Sequence, residues 1–385
     1  MTIKKSAAYS GIAYVALVCQ LLTWVGRPLN LNMLVSLSVT ATTITVVIAI
    51  AFLCMDRNGA VHEGNDISLL AGLFFIVALC AAMTHPINVT LLKKLLIFFQ
   101  LPVLLMVAKR NHTSRVRDVI YTVNAFYPIL CLYYYRSSFS HRYMGAYGET
   151  DIDALTLGFG NPNETAIYLM LCAFFLLAAM FRYKSFFKRL ILLAEFLWMI
   201  YLIYETECRA VIFILTAIVL ATIFWRKMDI NKKFVRIVFI GAGLFSALLF
   251  ILPGLGKLTF MGEILDTGRS SLFSYYLDNL SFGSFLIGDF QAYPLANMHN
   301  AFLSVLAAFG ILSAVAYWAF VCRGFLKACG GKPRNMEQKV LRLSCMAIVI
   351  HSAVEASLLT SGAVYAVSTF LVLFMASGTE DEKSV

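Results

Sequence analysis

Apolar runs of roughly 17 to 25 residues follow one another along almost the whole chain, each long enough to cross a hydrocarbon core of about 30 Å as a helix. Within lipid every backbone amide must be paired inside the protein, and runs of this length meet that demand as helices. Spans are expected at 10–26, 31–55, 67–85, 89–108, 117–134, 163–181, 190–205, 209–225, 234–253, 299–321, 340–359 and 362–378. The 385 residues are 60% hydrophobic and 14% charged, with a mean hydropathy of +0.80. A soluble domain has more polar surface than that to cover itself. The expected fold is therefore all-α, a polytopic transmembrane helical bundle of about twelve spans, forming a single integral membrane domain over 1–385. The first apolar run leads directly into the second without a small-residue cleavage pattern, so a cleavable signal peptide is not expected.

The formal charge of +10 invites a nucleic-acid reading, but the placement of the charges gives another cause. With Lys4 and Lys5 inside, alternate loops receive Arg57, then Lys109 to Arg117, then Arg182 to Arg189, then Arg226 to Arg236, then Arg323 to Arg342, with Lys383 in the tail. In all, 23 of the 31 Lys and Arg fall on one side, as the positive-inside rule expects. Both termini are then cytoplasmic, and the basic loops face anionic inner-leaflet lipid rather than nucleic acid. The nine cysteines are scattered without a Cys-x-x-Cys pair, so neither a zinc site nor a disulfide framework is indicated. No internal repeat and no inverted pair of broken helices stands out.

Two outward segments exceed a simple connection, about 135–162 and about 254–298, and long loops between packed elements often carry function. The larger is expected to hold short surface helices. In Asp266-Thr267-Gly268-Arg269-Ser270-Ser271-Leu272-Phe273, followed by apolar residues at 276, 277 and 280, Thr267 is the expected N-cap and Arg269 lies in the first turn. A helix N-terminus beside a guanidinium suits a phosphate; an arginine that merely solvates an interfacial helix is the competing reading. At the end of the loop, Asn297 is the expected cap of the tenth span. His299 then falls in its first turn, where the helix dipole favours a neutral ring able to accept a proton; an interfacial hydrogen-bonding group is the alternative. Glu205-Thr206-Glu207-Cys208-Arg209 is a short outward turn in which Arg209 either pairs with a glutamate or receives an anion.

Around these residues stand Tyr143, Tyr147, Phe159, Phe260, Phe273, Tyr275, Tyr276, Phe282, Phe290 and Tyr293, which either stack on sugar faces or form an interfacial belt. His351 and Glu355 are spaced i, i+4 and are expected to share a helix face. Lys93, Lys94 and Arg142 also fall outward or near it. Asp151-Ile152-Asp153 has the form of a metal-binding Asp-x-Asp, but stands in an outer loop away from nucleotide sugars. No metal and no cofactor are indicated.

Taken together, Arg209 opening a span, Thr267-Gly268-Arg269 in the large loop, His299-Asn300 followed by Gly310, and Asn161-Pro162-Asn163 before the sixth span resemble the O-antigen ligase and polysaccharide polymerase family of bacterial envelope enzymes. The resemblance is strongest over 205–320; Cys208 and Ser313 depart from the family pattern. It implies a donor glycan linked through diphosphate to undecaprenol. It also implies His299 as the proton acceptor, Arg209 and Arg269 at the departing diphosphate, and Asn163, Asn300 and Arg142 in substrate binding. The location implied is the bacterial inner membrane with an extracytoplasmic site, with a chain-length regulator and a flippase of the same pathway as partners. A polymerase of lipid-linked repeat units is the first expectation, a ligase transferring glycan to lipid A core the second. A lipid-linked oligosaccharide flippase is the reading from another class.

Overall fold

A computed structural model describes residues 5–55, 61–108, 114–137, 142–147, 150–224, 230–251, 259–260, 263–264, 269–293, 298–360 and 363–377. The chain is a helical bundle whose long elements are α1 (Lys5–Gly26), α2 (Asn32–Met55), α3 (Val61–Thr84), α4 (Val89–Val107), α5 (Ser114–Arg136), α6 (Pro162–Arg182), α7 (Phe186–Glu205), α8 (Arg209–Phe224) and α9 (Lys232–Ile251). There follow the short α10 (Arg269–Asp278) and α11 (Phe282–Ile287), the long α12 (Ala301–Cys329), α13 (Met336–Ser352), the single turn α14 (Ser357–Thr360) and α15 (Ala363–Ser377). Among the described residues six helices are long and apolar enough to cross a membrane, namely α1 to α4, α6 and α12. The other expected spans fall on α5, α7, α8, α9, α13 and α15, which do not combine that length with that apolarity. The expectation of a helical bundle thus holds, with two small exceptions. The 135–162 segment contains an antiparallel hairpin of β1 (Arg142–Tyr147) and β2 (Thr150–Leu155), and the large loop contains the two-residue strands β3 (Thr259–Phe260) and β4 (Glu263–Ile264).

Apolar side chains fill the interior and also coat the outside. Phe174, Phe309, Tyr317 and Phe370 are fully buried, while Phe75, Phe186, Phe213 and Ile240 stand exposed on the bundle surface. An aqueous fold would not leave so many large apolar groups uncovered, whereas lipid solvates them. The ion pairs sort by helix end. Arg117 on α5 and Glu337 on α13, Arg182 on α6 and Asp118 on α5, and Asp66 on α3 with Arg323 and Lys327 on α12 all join ends that carry the basic loops. Arg27 with Glu164, Arg142 with Glu205, and His299 with Glu355 join the opposite ends.

The main departure from expectation is α12. An unbroken helix would hold Phe302 and Trp318, sixteen residues apart, about 24 Å from each other. Their rings instead stack at 4.1 Å. Gly310, at φ 74° and ψ 176°, breaks the helix, and the arm 301–309 folds back against the arm 311–329. The bend requires glycine, because a Cβ there would strike the carbonyl of Leu286 on α11. The break frees the Ala307 carbonyl, and the amide of Asp289 donates to it at 2.8 Å. The tenth span expected at 299–321 is therefore corrected to a helical hairpin, whose longer arm, at about 28 Å, has the length of a crossing. The eleventh is corrected as well: α13 ends at Ser352, and a non-helical link precedes α14.

Candidate functional site

The arms of α12 set the site by fixing where the first arm begins. The observed N-cap is Asn300, whose Oδ1 accepts from the Leu303 amide at 3.1 Å; Asn297, the expected cap, lies outside the described residues. His299 consequently sits one residue before the cap, outside the first turn, with a left-handed backbone at φ 45°. A non-glycine residue is strained there, and such strain persists where surrounding contacts impose it. Asn300 supplies them: its Nδ2 donates to Ser246 Oγ on α9 at 3.0 Å and to the Ala353 carbonyl beyond α13 at 2.5 Å. With both amide hydrogens engaged and the residue buried, Asn300 anchors three elements and has no donor left for a sugar.

Held in this way, the His299 ring remains half exposed and turns Nδ1 toward Glu355 Oε2 at 3.6 Å. The Glu355 side chain is only 10% exposed, and its Oε1 accepts from Asn163 Nδ2 at 3.4 Å. Because α13 stops at Ser352, Glu355 does not share a helix face with His351 as the spacing predicts; its carboxylate faces His299 and Asn163. Asn163 reaches it from the first turn of α6, which starts with Pro162 and is capped by the Asn161 side chain on the Asn163 amide at 2.8 Å. A buried carboxylate at one ring nitrogen orients an imidazole and leaves the other nitrogen free to take a proton. At 3.6 Å the contact exceeds a hydrogen bond, and catalytic contacts of this kind commonly tighten only when substrate is present.

The expected cations are distributed differently. Arg209 is the first residue of α8 and is exposed; α8 packs against α13 and α6, the helices whose neighbouring ends supply Glu355 and Asn163. Arg269 is the first residue of α10, in the first turn as expected, while its side chain and Thr267 lie outside the described residues. Arg142 does not join His299. It is ion-paired to Asp153 at 2.5 Å and to Glu205 at 3.2 Å, and these carboxylates, Asp153 first, hold its guanidinium above the usual arginine range. Asp153 of the Asp-x-Asp is thereby accounted for, and Glu205 has Arg142 as a partner. Lys94 Nζ stands over the Phe290 ring at 5.2 Å.

The aromatic expectation is corrected in part. Phe159, Phe273, Tyr276, Phe290 and Tyr293 are buried, so their faces pack inward instead of meeting sugars; Tyr275 and Phe282 are exposed. Phe273, Tyr276, Tyr293 and Met298 form a second apolar cluster with Leu303 and Ala307, seating α10 on the first arm of α12. Burial, with Tyr293 and Asp289 nearby, pushes the Tyr276 phenol up to about 12. Tyr143, Tyr147 and Phe260 have side chains outside the described residues.

Two residues at this end do not stand out from the sequence as site residues. Helical spacing alone pairs Glu355 with His351. Arg27, in the turn after α1, is ion-paired to Glu164 on α6. The signal for Arg27 was present, since it is one of only eight Lys and Arg outside the basic loops. Among the described residues no group of three His, Cys, Asp or Glu side chains is placed to hold a metal ion. The chain matches no protein-family model and no curated protein.

Proposed function

We propose that this chain is a glycosyltransferase of the bacterial inner membrane that joins undecaprenyl-diphosphate-linked repeat units on the extracytoplasmic side. In this reading twelve spans put both termini in the cytoplasm and His299 outward. The observation that carries the proposal is the half-exposed imidazole, held in a strained backbone with a buried carboxylate at Nδ1, at the end of the bundle opposite the basic loops. That arrangement suits a base which takes the proton of an acceptor sugar hydroxyl as its oxygen attacks the anomeric carbon. The bond from that carbon to the diphosphate oxygen breaks, and the lipid diphosphate departs with the electron pair. Arg209 and Arg269, each opening a helix, would neutralise the charge that develops there. Asn163 acts on Glu355, and Asn300 holds the backbone that carries the ring.

The test is elongation of lipid-linked repeat units by the purified protein in detergent. Parental protein is expected to extend them, and His299→Ala to lose about 10²- to 10⁴-fold of the rate, the range contributed by a general base. Normal elongation by His299→Ala at equal protein level overturns the assignment. Deleting the gene in its host separates the two envelope reactions: core carrying a single repeat unit supports the polymerase, whereas bare core with glycan retained on the lipid carrier identifies a ligase.

A further inference from the structure

At the end of the bundle that carries His299, one partly buried ionic group has no part in the chemistry above. Arg27 pairs with Glu164, and Glu164 also forms a hydrogen bond with the Tyr365 hydroxyl on α15. The side chains of Arg27 and Glu164 are 34% and 15% exposed, so a large part of both charges is withdrawn from water. Burial alone would lower the Arg27 guanidinium, but the Glu164 charge holds it above the usual arginine range. Tyr365 stacks on Tyr168, one turn further along α6, and Tyr168 lies against Phe159. From the other side, the turn that bears Arg27 presses Pro28 onto Gly158, where φ is 82° and a Cβ would meet the Pro28 backbone. The first turn of α6 is thus clamped between the turn after α1 and the start of α15.

That clamped turn also presents Asn163, the neighbour of Glu164. The contacts it governs are long: Asn163 to Glu355 at 3.4 Å, and Glu355 to His299 at 3.6 Å. Neither is tight enough to define its own geometry, so the helix turn behind Asn163 must define it. We propose that Arg27 and Glu164 are positioning residues, whose ion pair with Tyr365 sets the first turn of α6 so that Asn163 holds the Glu355 carboxylate at Nδ1 of His299. The inference rests on the reading of His299 as the base. A displacement of about 1 Å in such a chain can cost up to about a hundredfold in rate.

Two readouts on the full-length protein in detergent test this separately from the proposed reaction. The first is the rate at which diethyl pyrocarbonate modifies His299 at one fixed pH, followed by mass spectrometry of the peptide that contains it; no substrate is needed. Arg27→Gln, Glu164→Gln, Asn163→Ala and Glu355→Gln should each label His299 about three- to tenfold faster, because a ring released from Glu355 exposes both nitrogens. The charge-swapped double variant Arg27→Glu with Glu164→Arg should return toward the parental rate. Parental labelling in Arg27→Gln and Glu164→Gln alongside faster labelling in Glu355→Gln overturns the proposal, as does a swap that labels as fast as the single variants. The second readout is steady-state elongation, where kcat should fall about tenfold with KM held. A rise in KM with kcat unchanged makes Arg27 a direct ligand of the donor diphosphate and overturns its role as a positioning residue. If Arg27→Gln does not fold, Arg27→Lys replaces it, with labelling expected to be faster than parental but slower than in Glu164→Gln; parental labelling in Arg27→Lys then counts against the proposal. If no elongation occurs at all, the labelling rates still decide the positioning claim, while the reaction assigned to the chain fails alone.

Discussion

The two ends of the bundle treat a buried glutamate in opposite ways. At the end with the basic loops, Glu337 accepts from Arg117 at 2.8 Å and from the Tyr121 hydroxyl at 2.7 Å, with Arg182 at 3.7 Å completing its surroundings. It sits in the first turn of a regular helix capped by Asn335. At the other end, Glu355 lies in a non-helical link, meets its partners at 3.4 and 3.6 Å, and faces a histidine with a left-handed backbone. Short contacts from regular helix ends are what a structural pin requires. Longer contacts to a half-exposed titratable ring leave free energy that further closure can release, which is what a reactive site requires. On the proposed reading of the site, the contrast assigns Glu337 to stability and Glu355 to activity.

Substitution at the pinned end breaks or supports this division most directly. Glu337→Ala leaves Arg117 buried without its carboxylate, and removing one member of such a pair costs about 3–5 kcal/mol. The side chains of Arg117 and Glu337 are 5% and 4% exposed, so water gives little relief. A large drop in thermal unfolding temperature in detergent is expected, with activity per folded molecule retained. A variant that unfolds normally but elongates slowly would reverse the assignment of the two ends.

The next effect in size concerns the strained backbone found at the site end. Gly310→Ala places a Cβ against the Leu286 carbonyl at a φ of 74°. The strain and the clash together are expected to cost about 2–4 kcal/mol. Because α11 must move to accommodate the methyl group, protease cleavage between α10 and the first arm of α12 should speed up while the basic end remains protected. Unaltered cleavage there would mean that the hairpin does not depend on the Leu286 contact.

How far the sequence foretold these features follows from the range of the forces that set them. The apolar runs, the basic loops and the start of α6 at Asn163 are local: they arise from hydrophobic stretches, charge placement and capping residues read within a few positions, whereas the start of α12 falls three residues later than expected, with Asn300 as its cap and His299 outside the helix. The hairpin in α12 is not local. Residues 301–321 are almost uninterruptedly apolar, and one glycine in such a run is ordinarily tolerated. Only the Leu286 carbonyl and the Asp289 amide, contributed by a segment about twenty residues earlier, make Gly310 a bend. Glu355 was misassigned for a related reason, since i, i+4 spacing implies a shared face only while the helix continues, and α13 ends at Ser352. Arg27 reads as a residue of a short connection until α6 is seen to bring Glu164 against it.

A smaller effect tests the site end itself. Glu355→Gln keeps the volume and the hydrogen bond from Asn163 but removes the charge beside Nδ1. The expected result is a fall in kcat of about tenfold, or about 1.4 kcal/mol in the barrier, with little change in unfolding temperature. A stability loss as large as that of Glu337→Ala would erase the distinction between the two glutamates.

The smallest effect belongs to the cation that the sequence reading placed at the substrate. Arg142 bridges Asp153 on β2 and Glu205 at the end of α7, at a position where its side chain is 39% exposed. Exposed pairs of this kind contribute about 0–1 kcal/mol because water and salt screen them. If Arg142 only ties the hairpin of β1 and β2 to α7, Arg142→Ala should leave kcat and KM within about twofold of the parent and lower stability by less than about 1 kcal/mol, with the loss shrinking as salt is raised. A KM increase of about tenfold with stability intact would instead put Arg142 on the donor diphosphate, and the site would then extend from His299 across to the outer hairpin.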